Sequence, residues 1–195
     1  MATYATATVA PAAASSTRLV RTAGLGAAAG VAASLVMAGY AMIASATYQH
    51  TGFFTPLYHI ASTFISPSHM MMSAQSAMHG STFVFYTGPA ILGALIHMMI
   101  GAMYGALFGA LVAITRLRGV ALIAAGAVWG AAVFVISSFV GLPIAAAVFG
   151  SGDQITHMAR IVGYGTFLIE HVLFGLALAL LLLAGGQRRS ETPQR

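Results

Sequence analysis

The sequence predicts an all-α polytopic membrane protein, a four-transmembrane-helix bundle with short helices in its first outer loop. Three observations predict it. Hydrophobic residues make up 59% of the 195 and charged residues only 6%, against roughly 25% charged in an ordinary soluble domain. Mean hydropathy is +0.90. The apolar residues fall into four runs, each near the ~20 residues that a membrane-crossing helix needs, and arginines or polar loops close them off. This composition excludes a soluble globular domain and a disordered chain. The absence of cysteine excludes a disulfide scaffold, a thiol nucleophile and cysteine-held zinc or iron–sulfur clusters.

Residues 1–21 open with an Ala/Thr/Ser/Pro tract that lacks an apolar period and reads as a disordered cytoplasmic N-terminus. The transmembrane domain covers 22–184. Its first span is 22–46. Ala44-Ser45-Ala46 at its end has the small-residue pattern of a signal-peptide cleavage site, yet the run exceeds the roughly 7–15 residues of a signal core, so both a cleaved leader and a retained helix stay open. The outer segment 47–88 mixes aromatics, prolines and histidines. Thr55-Pro56 and Ser66-Pro67 read as N-caps followed by proline at the first helical position, which predicts short helices at about 56–65 and 67–79, the second ended by Gly80. The second span is 89–114 and the third 119–141, with Pro143 kinking or ending it. A polar loop at 150–160 holds Asp153, His157 and Arg160. The fourth span is 161–184, and 185–195 is a polar cytoplasmic tail.

Orientation follows from charge. The chain has eight basic residues, all arginine, and three acids, for a net charge of +5. With four spans, Arg18 and Arg21, Arg116 and Arg118, and Arg188 and Arg189 fall on one side, and only Arg160 falls on the other. The positive-inside rule puts both termini in the cytoplasm of a cell with an inner membrane. The arginines cluster at span ends rather than in a stripe, so the basic balance reports topology and not nucleic acid. Tyr40, Tyr48, Tyr58 and Tyr86 fit an aromatic belt at the outer boundary, and Trp129 lies mid-span.

A short internal repeat runs through the spans. Gly26 and Gly30 share GxxxG spacing in the first, and Gly126 and Gly130 share it in the third. His97 precedes Gly101 by four residues in the second, and His171 precedes Gly175 by four in the fourth. Gly93, Gly101, Gly105 and Gly109 continue the stripe of the second span. Lipid tails are as apolar as leucine, so close backbone contact along small residues is what holds such helices together. These glycines are therefore the expected packing seams, and any left exposed would permit a homo-oligomer or a membrane partner protein.

Few residues carry chemistry. His97 and His171 sit roughly 12–15 Å below the outer boundary at a 1.5 Å rise per residue. Two histidines at similar depth suit a bis-histidine haem b site, with Gly101 and Gly175 leaving room for the ring. The alternative is hydrogen bonding across helices to groups near Tyr104, Ser137 or Ser138. Glu170, a carboxyl inside a span, is either neutral or paired, and is the candidate for proton or ion movement. His69, Met70, Met71, Met72 and His79 offer soft ligands of the kind copper takes, although Met71, Ala74 and Met78 also make the apolar stripe of a surface helix. No phosphate loop, GxSxG elbow or HExxH motif occurs, so the reading is non-enzymatic: an accessory or transport-related bundle whose partner is the lipid bilayer.

The stretches Ala94–Gly105, Gly126–Gly130 with Gly141-Leu142-Pro143, and Glu170–Gly175 resemble small four-helix bacterial inner membrane proteins of unknown function, the YagU-like and related uncharacterised families. The resemblance spans roughly residues 20–184. It implies a four-helix bundle in the cytoplasmic membrane and brings no established catalytic or binding residue.

Overall fold

The computed structural model describes residues 11–190. In chain order its helices are α1 (Pro11–Ala46), α2 (Thr55–Ala61), α3 (Ser68–Met78), α4 (Thr87–Thr115), α5 (Gly119–Ile136), α6 (Leu142–Phe149), α7 (Asp153–Thr156), α8 (Met158–Val162) and α9 (Tyr164–Ser190), with a π-helical turn at Ser137–Gly141 joining α5 to α6. No strand occurs among the described residues. Four stretches are long and apolar enough to cross a membrane: Ser16–Ala46, Thr87–Thr115, Gly119–Phe149 and Tyr164–Gly185.

Glycine decides which helices touch. A Cβ built on Gly26 would fall on the Gly105 carbonyl and the Gly109 backbone, and one on Gly30 would fall on the Gly101 carbonyl. So α1 and α4 meet backbone to backbone. In the second half, Gly126 meets Gly175 and Ala179, and Gly130 meets the His171 carbonyl, which seats α5 against α9 in the same way. The repeat in the sequence is thus a repeat of packing: each GxxxG helix seats the HxxxG helix of its own half. Contacts between α1 and α9 join the halves, whereas α4 and α5 barely touch. Around the bundle the order is α4, α1, α9, α5, and the side between α4 and α5 is open.

Two apolar clusters flank this arrangement. Ala33, Met37, Phe108, Leu122, Phe174, Leu178 and Ala179 fill the half nearer the α4–α5 turn, here the inner half. Ala146, Ile155, Met158, Ala159 and Phe167 pack under the outer cap. Large apolar side chains such as Leu95, Ile114, Val120 and Val128 are exposed around the outside.

Several expectations need correction. Helix α1 already runs from Pro11, so the described part of the segment expected to be disordered is helical. Its alanines are the strongest helix formers. Residues 1–10 and 191–195 lie outside the described residues. The third long helix does not end near Gly141. Proline removes one helical N–H, and its ring clashes with the carbonyl four residues earlier. The π turn, with the Leu142 N–H bonded to the Ser137 carbonyl, widens the backbone there, and the helical path continues to Phe149. The outer helices are shorter than 56–65 and 67–79. Thr55 is the first residue of α2 rather than its cap, and its hydroxyl bonds the Thr51 carbonyl and Ser73 Oγ, the latter at 2.8 Å. Pro67 rather than Ser66 precedes α3. The 150–160 loop contains α7 and most of α8, and the fourth span begins at Tyr164. Tyr58 belongs to no belt: it is 1% exposed, its hydroxyl donates to the Val84 carbonyl at 3.0 Å, and it accepts the Tyr86 N–H at 2.8 Å. Ala44 and Ser45 are buried, and Ser45 bonds the Gly52 carbonyl at 2.6 Å, which puts the cleavage-like tripeptide inside the fold.

Candidate functional site

The open side of the bundle leads into a cavity of about 440 Å³, within the range of small-molecule sites. It lies between the two apolar clusters. Met37 and Phe174 wall it from the inner one, and Met158 and Phe167 from the outer. Phe108 on α4 and Trp129 on α5 approach with ring centroids 5.7 Å apart and close the gap between those helices on the inner side. Above them the π turn and α6 form one flank, with Gly141, Leu142, Ala145 and Phe149, and Met99, Ile100 and Met103 of α4 form the other. Met99, Met103 and Phe149 are more than half exposed. The mouth therefore opens sideways, from the flank of the bundle rather than from its end.

His97, Glu170 and His171 all line this one space, together with Ser34, His59, Tyr104 and Ser137. His97 Nε2 lies 3.0 Å from the Ser34 carbonyl of α1. A carbonyl only accepts, so the ring donates from Nε2 and Nδ1 is left as an acceptor. In the same way His171 donates from Nδ1 to the Phe167 carbonyl at 2.7 Å and keeps Nε2 as its acceptor. Phe167 and Phe134 fix the His171 ring by edge contacts, with centroids 4.5 Å and 6.1 Å away. Glu170 is 5% exposed and makes no hydrogen bond or ion pair with a described residue. Tyr104 and Ser137 hydroxyls face each other at 3.5 Å, too long for a strong bond. No lysine or arginine is among the described residues that line the cavity.

Sequence reasoning missed His59, Ser34 and the outer wall. His59 is 5% exposed and donates from Nε2 to the Gln154 carbonyl at 2.8 Å, tying α2 to α7. Burial holds its imidazole below the ordinary value of 6.5. Its only signal in the sequence was a histidine inside a short predicted helix.

The clearance that the haem reading assigns to Gly101 and Gly175 is taken up by helix packing. A Cβ on Gly101 would meet Ser34 and the Gly30 carbonyl, and one on Gly175 would meet the backbone of Gly126 and Gly130. Both glycines pack against the neighbouring helix, and Gly101 also borders the cavity. The copper residues do not converge. His69 and His79 lie at opposite ends of α3, about 15 Å apart at the helical rise. His69 packs on Tyr86 with centroids 4.9 Å apart, and Met71, Met72 and Met78 point outward. No group of three His, Cys, Asp or Glu among the described residues is placed to hold a metal ion.

Comparison with known proteins gives no match to a family model, to a curated protein or to a solved structure.

Proposed function

We propose that this chain is a multi-pass protein of the cytoplasmic membrane, with both termini in the cytoplasm, that binds a small apolar-bodied molecule in its interior cavity and serves a transport-related rather than catalytic role. The cavity with its lateral mouth is the observation that carries this reading. Membrane insertion explains the exterior, because side chains such as Leu95, Ile114 and Val128 face outward around the bundle and would drive aggregation in water. The arginine pairs at 18 and 21, 116 and 118, and 188 and 189 fall at one end of the helices, the cytoplasmic end by the positive-inside rule. The seam glycines are engaged within the chain, so oligomer contacts would have to use other surfaces.

The binding test uses an uncharged fluorescent probe, N-pentyl dansylamide, with purified protein in maltoside detergent. Saturable, blue-shifted emission that Ala145→Trp abolishes supports an internal site, because Ala145 sits on the cavity flank. Emission no different from empty micelles overturns it. Topology is tested on the same cysteine-free chain. Asp153→Cys, whose side chain is 97% exposed, should react with a membrane-impermeant maleimide on intact bacterial cells. Thr115→Cys should react only after lysis, and the reverse pattern refutes the orientation.

A further inference from the structure

Three groups on the walls of this cavity are poised to accept hydrogen bonds, and the Tyr104 and Ser137 hydroxyls are left to donate. The Glu170 carboxyl, 5% exposed, lines it without a hydrogen-bonding or ionic partner among the described residues. His97 Nδ1 and His171 Nε2 are acceptors because the other nitrogen of each ring donates to a backbone carbonyl. Ser34 Oγ has already committed its proton to the Val31 carbonyl at 2.7 Å. Among the described residues, no lysine or arginine lines the walls around the carboxyl. Tyr40 on α1, His59 on α2, His97 and Tyr104 on α4, and His171 on α9 are the titratable groups around it.

Buried polar atoms without partners are rare because each one costs free energy. A carboxyl enclosed by apolar walls calls for a proton or a cation beside it. The rest of the enclosure is apolar, and its mouth opens between Met99 and Met103 on one side and Phe149 on the other, where lipid tails would lie. The missing partner therefore has a positive, donor-rich head and an apolar body, and it enters from the bilayer. We infer that the cavity is a site for amphipathic amines, with the ammonium group at Glu170 and its N–H bonds directed to the free nitrogens of His97 and His171. An ammonium carries three donors and no acceptor, which is the complement of this wall. A neutral lipid headgroup that itself accepts hydrogen bonds would find donors in the Tyr104 and Ser137 hydroxyls but none beside Glu170, His97 Nδ1 and His171 Nε2.

This inference rests on the ligand-binding reading above, and one experiment separates the two. Dansylcadaverine, which carries a primary ammonium, is titrated beside the uncharged N-pentyl dansylamide at neutral pH. The cation is expected to bind wild type about tenfold tighter or more, since a hydrogen bond to a charged group is worth that ratio. Glu170→Gln should remove most of that preference, while Glu170→Asp should retain part of it. Should Glu170→Gln not fold, the preference of the wild-type protein and the Glu170→Asp variant carry the test. Equal binding of both probes to wild type overturns the amine assignment and leaves the cavity reading standing. Binding of neither probe overturns both.

Discussion

Replacing Gly126 by alanine is the sharpest test of how this bundle is held together. A Cβ at that position would lie 2.5 Å from the Gly175 carbonyl oxygen and 2.5 Å from the Ala179 Cβ, where ordinary contact starts at 3.4 Å. Both neighbours are backbone or attached directly to it, so no rotamer change relieves the clash. Helix α5 must withdraw from α9 by about 0.9 Å, the difference of those distances. A gap of that size forfeits about a quarter to a half of the dispersion attraction of each contact along the seam, and overpacking of this kind costs about 1–3 kcal/mol. Alanine also favours the helix over glycine by up to about 1 kcal/mol, which would mask part of the loss. Gly39→Ala is the control: nothing lies within 4 Å of its added Cβ, so it gains the propensity without the clash. The difference between the two variants isolates the clash at about 1–3 kcal/mol. Equilibrium unfolding in mixed detergent, followed by the fluorescence of the single tryptophan, Trp129 on α5, measures both. Equal midpoints for Gly126→Ala and Gly39→Ala would refute the backbone-contact account of the fold.

Two further outcomes follow from the outer cap. A Cβ on Gly93 would land on the Leu57 backbone, so Gly93→Ala should lift α2 off α4 and speed amide exchange across Thr55–Ala61 by about tenfold or more. Unchanged exchange there would show that α2 is held by other contacts. The second outcome concerns acid. Burial lowers the His59 imidazole below its ordinary value of 6.5, so the unfolded chain takes up the proton first as pH falls. Its contribution is present above pH 6.5 and is lost progressively below it. The melting temperature should drop on acidification from neutral pH, less steeply in His59→Asn than in wild type, and identical slopes would remove His59 from the acid response.

The long helices were legible because their signal is one of length and composition, which tertiary structure does not override. The seams were legible for a similar reason: glycine every four residues lies on one face whatever the partner. The course of the chain past Pro143 was not. Pro143 left a kink and a helix end both open, and the π turn at Ser137–Gly141, which carries the helix past the proline, has no residue type that announces it. His97, Glu170 and His171 stood out singly, as polar groups in apolar runs. That they line one cavity depends on which helices are neighbours, and α4 and α5, although joined by only a short turn, touch far less than α1 and α4, α5 and α9, or α1 and α9 do. Tyr58 and His59 were misjudged or missed because their roles come from contacts with Val84, Tyr86 and Gln154, which no local pattern encodes.

The separation of α4 and α5 follows from where the glycines point. A helix offers one small-residue face, and close approach along it fixes which neighbour it takes. In α4 that face is given to α1 through Gly101, Gly105 and Gly109, and in α5 to α9 through Gly126 and Gly130. What remains for α4 and α5 to show each other is bulky: Phe108, Tyr104 and Met103 on one side, Trp129 and Val133 on the other. Phe108 and Trp129 meet and act as a spacer. Beyond them no small residues draw the helices together, and the π turn redirects the path of α6 along the far flank. The cavity is thus the consequence of two tight seams and one unfilled side, and Glu170, the one carboxyl on the described long helices, is placed on its wall. Sealing that side would take small residues in place of Tyr104 and Val133, and a variant with both changed to alanine should draw α4 toward α5 and lose the cavity while keeping both seams.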